Sequence, residues 1–243
     1  MIGLGTIINT ATVVAGGVIG CLVGRLIKDR FRQIVLVAVG LVVVFMGAGG
    51  AVAKMLTFEN GTFNAGGTLV CLFSLVIGGV IGEIINLDSL TEKFGGWLKE
   101  KSKSSRDSQF VDGFVTASVT ICIGAMAVIG SITDGLTGDF SILLTKAIID
   151  FVTVMIMSAS MGKGCVFSAI PIFVLQGLMT VLARFIEPLL NEQAMNNLLM
   201  VGSILIFCVG MNLLFTRRVR IKVTNLMPSV ILAVVAAYIP FLN

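Results

Sequence analysis

Lys146 and Asp150 stand four residues apart in the largely apolar stretch Ser141–Ser160. Four residues are about one helical turn, so on a helix the two side chains share a face. On a soluble helix such a pair is ordinary. In hydrocarbon, an acid at the middle of a spanning helix costs about 2.5–3.5 kcal/mol on insertion scales, so it must be paired or used. The chemistry open to it is binding of a hard cation such as Na⁺, or proton relay. At a rise of 1.5 Å per residue, Lys146 lies roughly 7 Å into the helix and Asp150 roughly 13 Å. The lysine is therefore expected to snorkel outward and the acid to stay deep. That ranks Asp150 as the binding or coupling carboxylate and Lys146 as its counter-charge. The alternative is an internal ion pair with a purely structural role.

Further polar groups lie in apolar surroundings. Thr116, Thr120, Gly124, Ala127, Ser131 and Asp134 recur at helical spacing, as do Lys146, Asp150, Thr153, Met157 and Ser160. If these two stripes meet, they enclose a polar path. Between them runs Gly130-Ser-Ile-Thr-Asp-Gly-Leu-Thr-Gly-Asp139, whose glycines and acids predict an unwound helix end with exposed carbonyls. Such backbone is tolerated at membrane depth only against protein or a water-filled cavity. Asn9, Ser168, Gln176 and Asn212 complete the set of path candidates. Each could equally make an interhelical hydrogen bond of about 0.6 kcal/mol.

The elements that must position these groups follow from composition. The chain has 243 residues, is 56% hydrophobic and only 12% charged, and has a mean hydropathy of +1.05. Soluble domains carry about 25% charge, so this is an integral membrane protein with no room for a separate soluble domain. There is no histidine, which removes Ser–His and Cys–His catalysis and the usual zinc sites. No nucleotide motif and no His-Glu-x-x-His pattern occurs, so an enzyme is not expected, nor a cofactor beyond Na⁺ or H⁺ as transported or coupling ion. A paired-aspartate protease would need Asp134 and Asp150 to face each other. The five cysteines are isolated in apolar segments and read as small buried side chains.

Apolar runs fall at about 3–26, 34–53, 66–86, 111–132, 142–161, 165–186, 197–215 and 223–242. The first reads as a retained span, since it lacks a basic n-region and a cleavage site. Residues 58–64 read as a polar turn. With the N-terminus outside, the inner loops hold Arg25, Lys28, Arg30, Arg32, Lys93, Lys99, Lys101, Lys103, Arg106, Lys163, Arg217, Arg218, Arg220 and Lys222. These are 14 of the 17 Lys and Arg residues. The positive-inside rule thus predicts eight spans with both termini outside. The net charge of +4 needs no nucleic-acid partner, because the basic residues serve topology. Ser89–Arg106 begins with capping-box spacing and puts Leu90, Phe94, Trp97 and Leu98 on one face, predicting an amphipathic helix on the cytoplasmic membrane surface.

Gly3-Leu-Gly-Thr-Ile-Ile-Asn9 and Gly162-Lys-Gly-Cys-Val-Phe-Ser168 align without a gap, and Arg25 then meets Arg184. Further on, Met46-Gly47 falls near Val209-Gly210. Spans one and six run in opposite directions, so the chain is expected to be an all-α membrane protein of about eight helices in a 3+2+3 arrangement with inverted repeats, a common transporter design. In this single membrane domain, repeat one is 1–86, the amphipathic helix 88–106, the central helix pair 111–161, and repeat two 162–243. The Gly16/Gly20/Gly24 and Gly78/Gly82 spacings fit close packing inside one protomer or in a homodimer.

The segments Gly3–Asn9, Ile123–Asp139, Lys146…Asp150, Gly162-Lys-Gly164 and Gly210-Met-Asn212 together resemble the YqgA-type family of bacterial membrane proteins, catalogued as domain of unknown function 554. The resemblance runs nearly the whole chain. One departure is Ala125, where the family pattern leads one to expect proline. The resemblance implies a multi-pass protein of the bacterial inner membrane and carries the family's conjectured activity, a sodium channel or pump. From the residues themselves, the expectation is a transporter or channel for a small ion, cation favoured, or a small solute. Its path would be lined by Asp150, Lys146, Asp134, Ser131, Thr153, Asn9, Ser168, Gln176 and Asn212. The alternative is a non-transporting scaffold or regulator in the lipid bilayer.

Overall fold

The structure, a computed structural model, describes all residues except 25, 27–28, 60–61, 105–107, 123–124, 216–220 and 240–243, and leaves some further side chains undescribed, Arg30 and Arg32 among them. Arg25, Lys28, Arg106, Arg217, Arg218 and Arg220 of the predicted inner loops therefore lie outside the described residues. In chain order the elements are α1 (Leu4–Gly24), α2 (Asp29–Met55), β1 (Leu56–Glu59), β2 (Thr62–Ala65), α3 (Thr68–Ile85), α4 (Leu87–Lys101), α5 (Phe110–Cys122), α6 (Ala125–Thr137), α7 (Ser141–Met161), α8 (Ala169–Val181), α9 (Ala183–Ile186), α10 (Glu192–Leu214), α11 (Val223–Leu226) and α12 (Pro228–Ala236). Short 3-10 turns at Lys163–Ser168 and Glu187–Leu189 precede α8 and α10.

Among the described residues six segments are long and apolar enough to cross a bilayer: Leu4–Gly24, Val37–Met55, Thr68–Ile85, Ser141–Met161, Lys163–Val181 and Glu192–Leu214. The pair α5 and α6, bent by 61°, makes a seventh if counted as one broken span. The last apolar segment, Val223–Ala236, is shorter. At 1.5 Å per residue it reaches roughly 21 Å, short of a hydrocarbon core of about 30 Å. The chain is thus an all-α multi-pass membrane protein with a small hairpin. The residues read as a polar turn at 58–64 lie largely in that hairpin, where Leu56 pairs with Ala65 and Glu59 with Thr62.

The chain divides into two compact units, each made of two separate stretches of the sequence. The first comprises Met1–Val39 and Thr91–Glu187. In it α1 packs along α7, with α6 and α8 beside it. The cause is glycine. A Cβ at Gly16, Gly20 or Gly24 would run into the carbonyl oxygen of Phe151, Met155 or Ala159. Without side chains there, the two backbones approach closely, the small-residue packing that drives helix association in lipid. These glycines, which fitted either an internal or a dimer contact, are used inside the protomer. On α4, Leu98 is buried against Phe110 and Phe114, while Phe94 stacks on Trp97 with ring centroids 5.8 Å apart and both rings half exposed. The predicted helix is present, though it ends at Lys101.

The expected unwinding at 130–139 is a correction. Residues 125–137 are helical; only 138–140 leave the helix, where Gly138 has a left-handed φ of +75°, and the described parts of α5 and α6 are bent by 61°. Gly130 and Gly135 are packing positions, against Leu143 and against the Thr180 backbone and Ala183. Glycine there answers a need for space, not for freedom. Asp139 instead starts α7: its carboxylate accepts the Ser141 N–H at 2.9 Å, and that bond holds its pKa below the usual carboxylate range.

The second unit comprises Gly40–Leu90 and Pro188–Asn243. Here α3 packs on α11 and α12, and α10 on α12, around Val70, Cys71, Met200, Val201, Ala233 and Ala236. Gly78 lies against Ser229 and Gly82 against Asn225, so this second glycine pair is also used internally. Gly47 of α2 sits against Phe207 of α10, and Gly210 of α10 against Val44 of α2. Each glycine meets the residue three positions before the other, the reciprocity of two antiparallel helices crossing about a local twofold.

Candidate functional site

The buried charges lie in the first unit, on the face of α7 turned toward α1 and α5. Lys146 and Asp150 keep side-chain exposures of only 9% and 5%. The Lys146 Nζ donates to both carboxylate oxygens of Asp150, at 2.8 and 2.6 Å, and to the backbone carbonyl of Ile121 at 2.8 Å. An ammonium has three protons, and here each has an oxygen. Ile121 belongs to the last turn of α5, where carbonyls lose their helical partners. The lysine thus ties the end of the described part of α5 to α7.

Lys146 does not snorkel outward, against expectation. Its ammonium turns inward because two kinds of acceptor, a carboxylate and a backbone carbonyl, compensate its charge there. Each of those acceptors would itself be costly to leave unpaired in an apolar interior.

The network continues across α1. Asn9, fully buried, donates from Nδ2 to Asp150 Oδ2 at 3.1 Å and to Gln176 Oε1 on α8 at 3.3 Å. The carboxylate dictates the orientation of this amide, because turning it over would set oxygen against oxygen. Two atoms are then left without partners: Asn9 Oδ1 and Gln176 Nε2. Unpaired buried polar atoms are expensive; among the described residues these two belong to one hydrogen-bonded pair, with Ser158 Oγ and Asn197 Nδ2 unpaired elsewhere. One turn further along each helix, the hydroxyls of Thr6 and Thr180 approach to 3.5 Å. The sequence reading passed over both threonines. Their spacing of three and four residues from Asn9 and Gln176 places them on the same faces and could have revealed them.

Of the other candidates, Asp134 is fully buried but serves a different end. Its carboxylate accepts the backbone N–H groups of Gly3 and Gly5, both at 3.2 Å. It therefore satisfies orphan donors at the start of α1, where the helix dipole also favours an anion. Asp134 is engaged by Gly3 and Gly5, and Asp150 by Lys146 and Asn9. Among the described residues no hydrogen bond joins the two. Ser131 donates back to Ala127, Thr153 to Ile149 and Ser168 to Cys165, each within its own helix or turn. Asn212 lies in the second unit and clasps Ile221 by both backbone groups, each at 2.8 Å. The structure thus gathers Lys146, Asp150, Asn9 and Gln176, and leaves Asp134, Ser131, Thr153, Ser168 and Asn212 in local roles. Among the described residues no group of three or more Cys, Asp or Glu side chains is placed to hold a metal ion.

Comparison with known proteins agrees with a membrane protein. The chain is 30% identical over 235 residues to the uncharacterized membrane protein YdfK of Bacillus subtilis (strain 168), covering 97% of this chain and 96% of that protein. It is 26% identical over 234 residues to the uncharacterized protein YqgA of Escherichia coli (strain K12), covering 95% and 94%. No solved structure matches. The model of the family described as protein of unknown function (DUF554) matches residues 4–238, nearly the whole length, and the chain belongs to that family.

Proposed function

We propose that the protein is a transporter or channel for a small cation, with Asp150 as the binding carboxylate, Lys146 as its counter-charge, and Asn9 and Gln176 as the polar wall. One observation carries this reading: a buried carboxylate, an ammonium, two amides and a backbone carbonyl meet midway along apolar helices. Packing alone gives little reason to assemble such a group, because an apolar core of the same volume is often at least as stable.

The backbone around the network supports an alternating design. Gly3 and Gly162, equivalent in the two repeats, both have left-handed φ, +84° and +88°. Gly5 and Gly164, also equivalent, both sit against the start of a central helix, Phe140 and Leu143 in one case and Phe110 in the other. With the reciprocal pair Gly47 and Gly210, these favour a 3+2+3 inverted repeat. In that arrangement the short final helices form an eighth crossing, both termini face outward, and the protein sits in the bacterial inner membrane. Replacing Asp150 with Asn in proteoliposomes should abolish cation flux while the protein still folds. Undiminished flux in that variant overturns the assignment.

A second reading, a non-transporting scaffold, draws on α4. Its half-exposed, stacked Phe94 and Trp97 and its Lys93, Lys99 and Lys101 suit an anionic membrane surface. That reading expects no flux from wild-type protein, in any salt.

A further inference from the structure

The Lys146 ammonium is held by oxygen alone. Its neighbours are the two carboxylate oxygens of Asp150, at 2.8 and 2.6 Å, and the Ile121 carbonyl at 2.8 Å. A carboxylate and a backbone carbonyl are the ligand types that hard cations choose. A free cation at the Nζ position would meet the same three oxygens. Asn9 Oδ1 is buried and has no partner among the described residues, on the amide whose nitrogen bonds Asp150; it does not contact Nζ. The other titratable group near the pair is the Cys122 thiol on α5, which interacts electrostatically with both Lys146 and Asp150. The Asp134 carboxylate on α6 is engaged by the Gly3 and Gly5 amides.

We propose that the Nζ position is a site for a monovalent cation of ammonium size, such as potassium, rubidium or ammonium itself, and that the chain's own Lys146 fills it in the state described here. The size class follows from the oxygen spacing. Oxygens set for an ammonium nitrogen are set for potassium, which ammonium resembles in radius. They stand too far apart for sodium, which binds oxygen at shorter distances. Occupancy by a cation with Lys146 withdrawn leaves one positive charge facing Asp150, as before. In either state the Ile121 carbonyl is a ligand to whichever cation is present. This deepens the transport reading by naming the ion class and its ligands. It rests on that reading only for the site's use in transport.

The test is binding to protein in detergent, apart from any flux. Lys146→Ala removes the tethered ammonium and opens the room of its stem. Its thermal unfolding, followed during titration with potassium, rubidium, sodium or choline chloride, should shift upward with potassium and rubidium at concentrations about tenfold below those needed with sodium. Choline should have no effect. Wild-type protein, with the site filled, should respond far less, and Lys146→Ala combined with Asp150→Asn should not respond at all. A preference for sodium, an equal response to every salt, or a response that survives Asp150→Asn overturns the proposal. If neither Lys146→Ala nor Lys146→Ser yields folded protein in potassium, the ion does not take the ammonium's place and the proposal fails. Flux assays on Asp150→Asn report separately, so a site without transport and transport without this site are told apart.

Discussion

Two ion pairs of nearly equal length sit in the two units. Lys146–Asp150 in the first unit is 2.6 Å long with side chains 9% and 5% exposed, and Lys222–Glu83 in the second is 2.7 Å long with side chains 50% and 58% exposed. Each carboxylate also accepts from an asparagine, Asn9 in one case and Asn225 in the other. The difference lies beyond the pair. Asn225 is used at both ends, since its Oδ1 accepts the Asp88 N–H, and Thr224 donates to the Asp88 carboxylate. That cluster closes a helix junction and leaves nothing over. The buried cluster leaves Asn9 Oδ1 and Gln176 Nε2 unpaired. Distance therefore does not separate a structural clasp from a functional candidate; burial and unspent hydrogen-bonding capacity do.

The largest effect that would break this comparison comes from removing one partner of each pair. In choline buffer, Lys146→Met should destabilise the protein by about 3–5 kcal/mol, because it strands a buried carboxylate. Lys222→Met, at a pair open to solvent, should leave unfolding nearly unchanged. Equal losses, measured by reversible unfolding in detergent, would mean that burial does not set the worth of these pairs. A middle-sized effect tests the packing that brings Asn9 to Asp150. Gly20→Ala places a methyl on the Met155 carbonyl, whereas Gly49 has open space around it. The first should cost about 1–3 kcal/mol, the second less than about 0.5 kcal/mol.

The smallest expected effect is at Asp139, whose exposed carboxylate is held below its usual pKa by the Ser141 N–H. A depressed pKa in the folded state means that the contribution is present above the unfolded value of about 3.9 and is lost as pH falls through the lower folded value. Asp139→Asn should therefore lower stability slightly at neutral pH and lose that difference in strong acid. A deficit that persists after acidification would assign the effect to something other than the charge.

Much of the site was legible in the chain, but unevenly. Lys146 and Asp150 were marked by type and by their one-turn spacing, and Asn9 and Gln176 by being polar in apolar surroundings. Their meeting was not legible, because Asn9 and Gln176 are 167 positions apart. Asp134 was assigned to the path by its type and by its place on a polar stripe at helical spacing. Its actual role depends on which helix end lies beside it, and here that end is the Gly3–Gly5 entry of α1. Ile121 could not be found, since a backbone carbonyl leaves no mark in residue type. Ala125, where proline was expected, is the first described residue of α6.

The sequence by itself determined that this is a multi-pass membrane protein, because 56% hydrophobic and 12% charged residues cannot be arranged as an ordinary soluble domain. It also determined where helices come close, because glycine at every fourth position removes the side chains that keep backbones apart. Only the tertiary structure decided what comes close to what. Gly16, Gly20 and Gly24 specify a flat face but not its partner, and Lys146 specifies a charge but not its direction. Those choices rest on competition among all the helices for few polar partners in a medium without water, and the lysine went to the oxygens that most needed it.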